Sequence, residues 1–147
     1  MNVSRLLLGF ALAGSASAAV GAEAACAPVI EKAWVRAAPP GAASLAGYLV
    51  LRNPCRSAVE VTGVESRDFG MPMIHRSKVL DGVSRMRPAG RLALPAGGQL
   101  RFEPGGLHLM LMKPRRALAE GDQASVRVVL ADGRRVFAVF PVRRDAP

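Results

Sequence analysis

Apolar and polar residues alternate along most of the chain with a period of two, in short runs. Such alternation sends successive side chains to opposite faces of an extended backbone, so each run reads as a half-buried β-strand. Strands are predicted over Val29–Ala37, Ala46–Asn53, Val59–Glu65, Met73–Leu80, Val83–Arg87, Gln99–Phe102, Leu107–Met112, Ser125–Leu130 and Arg135–Val142. Between them lie "APPGAAS", "NPC", "PAGG", "EPGG", "AEGDQ" and "ADGR", rich in residues that punctuate regular structure. Asp81-Gly82 and Asp132-Gly133 sit between apolar runs and predict tight hairpin turns, where glycine supplies positive φ. No long pattern with a 3.6-residue period appears, and the only candidate helix is a short stretch around Arg116–Glu120. The fold class is therefore all-β, a single-domain antiparallel sandwich or small barrel with Greek-key connections. One strand has an unusual face. "LHLMLM" puts Leu107, Leu109 and Leu111 on one side and His108, Met110 and Met112 on the other. The leucines face a core, but an imidazole and thioether face needs a different explanation.

The N-terminus sets the compartment. Arg5 precedes an apolar run from Leu6 to about Leu12, and a small-residue tract follows with A-x-A sites at Ala16-Ser17-Ala18 and Ala22-Glu23-Ala24. This is the layout of a secretory signal peptide. Residues 1–24 are expected to be removed, leaving 25–147 as the working domain in the periplasm. The apolar run is broken by glycine and serine and falls short of the roughly 20 residues a span requires, so no stable membrane insertion is expected. Glu23 stands where a lipid-attachment signal would place leucine, which argues against Cys26 as a lipid anchor. Two cysteines, Cys26 and Cys55, remain after export, and in an oxidising compartment they are expected to form a disulfide rather than a thiolate metal site.

The formal net charge is +9, supplied almost entirely by arginine. The arginines are scattered, with short pairs at 115–116, 134–135 and 143–144, and no basic run is interleaved with aromatics. Nucleic acid is therefore not expected as a partner, and most of the charge reads as a solvated surface.

Beyond residue 25 there are two histidines, His75 and His108, and five methionines, Met71, Met73, Met86, Met110 and Met112. If "MPMIH" is extended, Met71, Met73 and His75 share a face, and the Asp81-Gly82 turn folds that strand back toward Met86. Thioethers are soft, uncharged ligands that favour Cu(I), and neutral imidazole suits copper as well. Neither requires a thiolate. A zinc site would more often add cysteine or carboxylate to histidine. Taken singly, Met71, Met73 and Met112 read as flexible packing residues or outer ligands. No Ser-His-Asp, paired-carboxylate or phosphate-loop arrangement is present, so no catalytic residue is assigned and the protein is not expected to be an enzyme.

The four residues His75, Met86, His108 and Met110 are spaced H-x10-M-x21-H-x-M. With "AWVRAAPPGAASLAGYLVLRN", "DGVSRMRP", "LPAGGQLRFEPGGLHLMLM" and "EGD", this spacing resembles the periplasmic copper chaperone family PCu(A)C over nearly the whole exported chain. The resemblance implies a cupredoxin-like β-barrel holding one Cu(I) ion on His75, Met86, His108 and Met110. It also implies delivery to a recipient such as the CuA domain of cytochrome oxidase subunit II or a Sco-like copper protein. Two departures stand out. Many relatives have a methionine just after the first histidine, where Arg76 and Ser77 stand here. Some also carry a His/Met-rich tail that takes a second, oxidised copper ion, whereas this chain ends "PVRRDAP", so no second site is expected. Arg76, Arg85 and Arg87 flank the expected ligands and are candidates for docking an acidic partner. A monomer is expected. Two other functions fit the same fold class. One is an electron-transfer cupredoxin, which would want a cysteine thiolate beside two histidines. The other is a metal-free exported interaction domain.

Overall fold

A computed structural model describes residues 26–147; the leader expected over residues 1–24 lies outside the described residues. Ten strands form, β1 (Val29–Arg36), β2 (Ser44–Arg52), β3 (Val59–Ser66), β4 (Phe69–Leu80), β5 (Val83–Pro88), β6 (Leu92–Leu94), β7 (Gln99–Phe102), β8 (Leu107–Pro114), β9 (Gln123–Leu130) and β10 (Arg135–Arg143). Nine coincide with the alternating runs. β6 does not announce itself, because three residues are too few to display a period.

The hydrogen-bonded order is β5-β4-β8-β7-β2-β1-β10-β9-β3-β6, with β8 also pairing β2. A short parallel contact, Val35 opposite Val142 and Arg36 opposite Arg143, joins β1 to β10 and divides the strands into two layers. β2 lies in one layer, β3 in the other and β4 back in the first, so the chain crosses between the layers twice over these three strands. This is the expected cupredoxin-like β-sandwich. Leu49, Leu51, Ile74, Leu107, Leu109 and Leu111 face inward from the first layer, and Val61, Leu94, Val126, Val128, Leu130 and Phe140 from the second. Gly47 on β2 explains how closely β8 approaches. A Cβ there would lie 3.1 Å from Leu111 Cδ1 and 3.2 Å from Leu109 Cβ.

The helix expected around Arg116–Glu120 does not form; the segment is irregular between a bend at Arg116 and a turn at Glu120. Its polar groups are taken elsewhere. Arg116 donates to Asp68 and to the Gln123 carbonyl, the Ala119 N–H goes to Asp122, and the Gly121 N–H goes to the Val142 carbonyl. Five residues are also too few to overcome the cost of helix nucleation without such competition.

Cys26 and Cys55 are joined as a disulfide, with Cα atoms 5.8 Å apart and a separation of 29 positions in sequence. Closing a loop of that length is worth about 3–4 kcal/mol in the chain-entropy picture. The fully buried Asn53 organises the same corner. Its side-chain amide donates to the Ser57 and Pro95 carbonyls, and its Oδ1 accepts from the Cys55 N–H.

Candidate metal centre

The centre is built by the pairing of β4 with β8. Their antiparallel register sets His75 directly opposite His108, Met73 opposite Met110 and Met71 opposite Met112. Directly opposed residues share a face of the sheet. Ile74, Leu107, Leu109 and Leu111 belong to the core, so alternation turns the histidines and methionines to the other side. Register thus brings two imidazoles together from segments 33 positions apart, and it sets Met110 diagonally across from His75.

The two rings lie with centroids 6.0 Å apart, edge to face at 80°. His108 is buried at 5% exposure, and its Nδ1 lies 3.1 Å from the Gly106 carbonyl oxygen. A carbonyl only accepts, so Nδ1 carries the proton and the Nε2 lone pair is free. Among the described residues that Nε2 has no hydrogen-bond partner, nor has either ring nitrogen of His75, although all three atoms are buried. An unpaired buried polar atom costs about 1–3 kcal/mol, so the pair is costly unless something else satisfies it. Burial first, and the neighbouring His108 second, hold His75 below the ordinary histidine range. Its ring is therefore neutral near pH 7, the form that can donate a lone pair to a metal.

Among the described residues, no group of three or more His, Cys, Asp or Glu side chains is placed to hold a metal ion. The side chains that the same face offers beside the imidazole pair include thioethers. The donor set, two imidazoles on a face that otherwise carries methionines, fits a soft ion and not a hard one.

Met86 arrives by a different route. Asp81 and Gly82 both have positive φ, 52° and 75°, which makes a two-residue turn with Leu80 opposite Val83. Such turns match the twist of their strands and favour Asp-Gly. The register that follows puts Pro88 opposite His75 and Met86 opposite Ser77, on the imidazole face and diagonal to His75. Met86 is 48% exposed on a strand whose residues are all exposed. The same turn puts Arg76 opposite Arg87 and Lys78 opposite Arg85 on the reverse face. Like charges placed directly opposite are destabilising. Among the described residues none of these four is in an ion pair, whereas Arg52, Arg91, Arg116, Arg134, Arg135 and Arg144 each pair with a carboxylate.

Sequence reasoning missed Gly106, whose carbonyl accepts from both His108 Nδ1–H and the Ser77 N–H. No side chain marks that role, although "EPGG" one residue before the strand marks the turn that aims it. Also unforeseen is a stack of Arg36 over Trp34 and Tyr48, with the guanidinium 5.6 and 5.5 Å from the ring centres. The cysteines take no part in the centre. Cys26, where a lipid anchor was considered, is bonded to Cys55.

Comparison with known proteins agrees with this picture. The family described as "Putative lipoprotein LpqE-like" matches residues 29–142. A protein of Leifsonia xyli subsp. xyli described as "Putative lipoprotein Lxx21020" is 30% identical over 115 residues, covering 78% of this chain and 68% of its own length. Both descriptions support an exported location. Among solved structures, apo-DR1885 from Deinococcus radiodurans is 26% identical with a TM-score of 0.64, covering 97% of this chain and 96% of that one. The copper-bound PCuAC domain from PmoF2 shares the fold at 24% identity and a TM-score of 0.63, over 80% of this chain and 92% of that one. The chain is a member of the LpqE-like lipoprotein family, and its fold is that of the PCuAC copper-chaperone domains.

Proposed function

We propose that this protein is a periplasmic, non-enzymatic carrier of copper. It would take one Cu(I) ion on His75, Met86, His108 and Met110 and pass it to a recipient such as the CuA domain of cytochrome oxidase subunit II or a Sco-like protein. The observation that carries this reading is the opposed His75–His108 pair, with three buried ring nitrogens that have no hydrogen-bond partner among the described residues. A Cu(I) form of DR1885 is among the solved structures this chain resembles, at 26% identity. Neutral ligands leave the ion's charge uncompensated, which favours exchange over permanent retention. Met86, on an exposed hairpin, is the ligand best placed to be released first. The unpaired cations Arg76, Arg85 and Arg87 would meet an acidic rim on the recipient. An electron-transfer site of the blue-copper type needs a thiolate, and the two cysteines of this chain are bonded to each other. The test is anaerobic competition with a chromogenic Cu(I) chelator. Met86→Ala and His108→Ala are each expected to surrender the ion at lower chelator concentration than wild type. Unchanged competition in both would remove the proposed ligand set.

A further inference from the structure

The imidazole face continues past the His pair. Below the His75–His108 rung come Met73 opposite Met110 and then Met71 opposite Met112, so four thioethers extend the same face. At about 3.4 Å per residue, these rungs lie roughly 7 and 14 Å from the imidazoles. The usual reason for methionine in a strand is to fill gaps in a core. That reason fails here. None of the four belongs to the core cluster, Met71 is 39% exposed, and the core side of β8 is filled by Leu107, Leu109 and Leu111. Across on β2 the register neighbours of Met112 and Met110 are Ser44 and Ala46, which bring neither charge nor bulk to the face. On the other side, β5 pairs β4 only from His75 onward, so among the described residues no strand hydrogen-bonds to that edge of β4 at Met71 and Met73.

We infer that Met71, Met73 and Met112 form a second, all-thioether site for a soft monovalent ion, lying one to two rungs from the imidazole pair. Its ligand class is Cu(I), or Ag(I) as its redox-inert counterpart. Three uncharged sulfurs bind such an ion and offer little to Zn(II) or Cu(II), which prefer nitrogen, oxygen or thiolate. Lacking an imidazole, the site is the weaker of the two, and it is open at a free strand edge. It therefore serves as a landing point from which an ion steps along the methionine rungs to the His pair. The inference does not depend on the four-ligand reading, because its three ligands are not members of that set.

The test is an anaerobic titration of the exported chain with Cu(I) buffered by a chromogenic chelator, read alongside the methionine methyl resonances. Wild type is expected to take about two equivalents, the second more weakly, with the Met71, Met73 and Met112 methyls shifting mainly in the second. Met71→Leu/Met112→Leu conserves volume, so it is expected to fold, to keep the first equivalent with unchanged competition, and to lose the second. His75→Ala/His108→Ala is expected to keep one weak equivalent. A single equivalent in wild type overturns the inference. So does a second equivalent that survives in Met71→Leu/Met73→Leu/Met112→Leu. If the first equivalent is indifferent to the histidine substitutions, the four-ligand reading fails separately.

Discussion

Leu109 and Met110 are adjacent on β8 yet have opposite assignments, and replacing each with alanine separates stability from metal binding. Leu109 is fully buried, and its near neighbour across the strand is the backbone of Gly47, which has no side chain to move into a void. Buried Leu→Ala substitutions cost 2.7–5.0 kcal/mol in a well-studied series, more where the site cannot collapse, so Leu109→Ala is expected to cost about 3–4 kcal/mol. That is a large fraction of the roughly 5–15 kcal/mol typical of a domain, but it should leave a folded protein. Met110 is half-buried on the other face, outside the core, and its truncation is expected to cost the apo protein only about 1 kcal/mol. Copper closes the gap. A ligand at a hundred times its Kd stabilises the native state by about 2.7 kcal/mol. Leu109→Ala should retain that increment, and Met110→Ala should lose most of it. Anaerobic urea unfolding of apo and Cu(I)-loaded protein measures all four quantities. If Met110→Ala costs the apo protein as much as Leu109→Ala, or if Leu109→Ala costs less than about 1 kcal/mol, the assignment of faces is wrong.

The remaining expectations concern pH and docking. His75 is held below the ordinary value of 6.5 by burial and by His108, so the unfolded chain takes its proton first. Apo stability from this group is complete above about pH 6.5 and declines as pH falls through the folded value; His75→Gln should flatten that limb in pH-dependent unfolding. Burial pushes the Asp68 carboxyl up, but the Ser125 N–H and hydroxyl together with Arg116 outweigh it and hold the group below 3.8. Its contribution is present above that value and lost on further acidification, and Asp68→Asn should remove the pH dependence along with the contribution. On the hairpin, Arg76→Glu/Arg85→Glu/Arg87→Glu is expected to slow copper transfer to an acidic recipient and weaken its salt dependence, without destabilising the apo protein. Unchanged transfer kinetics across ionic strengths would dispose of the docking role.

Much of this molecule is legible in its sequence because a period of two carries two kinds of information. It marks Leu107, Leu109 and Leu111 as strand residues, and it separates their face from that of His108, Met110 and Met112. The Asp81-Gly82 turn is equally informative. Two residues with positive φ dictate that Arg76 meets Arg87 and Lys78 meets Arg85, a like-charge ladder that follows from the turn alone. What periodicity does not give is register between strands with no turn to join them. β4 and β8 are separated by β5, β6 and β7, so the exact opposition of His75 and His108 emerges only when core packing fixes their alignment. The same holds for the methionine rungs below them, which read singly as packing residues. The Gly106 carbonyl is invisible for another reason, since its contribution is a backbone oxygen aimed by a turn. The misplaced helix at Arg116–Glu120 shows local propensity yielding to other hydrogen-bond partners, Asp68, Asp122 and the Gln123 carbonyl.

The central claim is that two imidazole nitrogens and two thioether sulfurs share one cuprous ion. X-ray absorption at the copper edge, on protein loaded anaerobically with less than one equivalent of Cu(I), reads that shell directly. The account predicts a mixed shell of nitrogen and sulfur scatterers, with the sulfur contribution reduced in Met86→Ala and the nitrogen contribution reduced in His108→Ala. A shell of nitrogen and oxygen alone, or one that neither substitution alters, would contradict it.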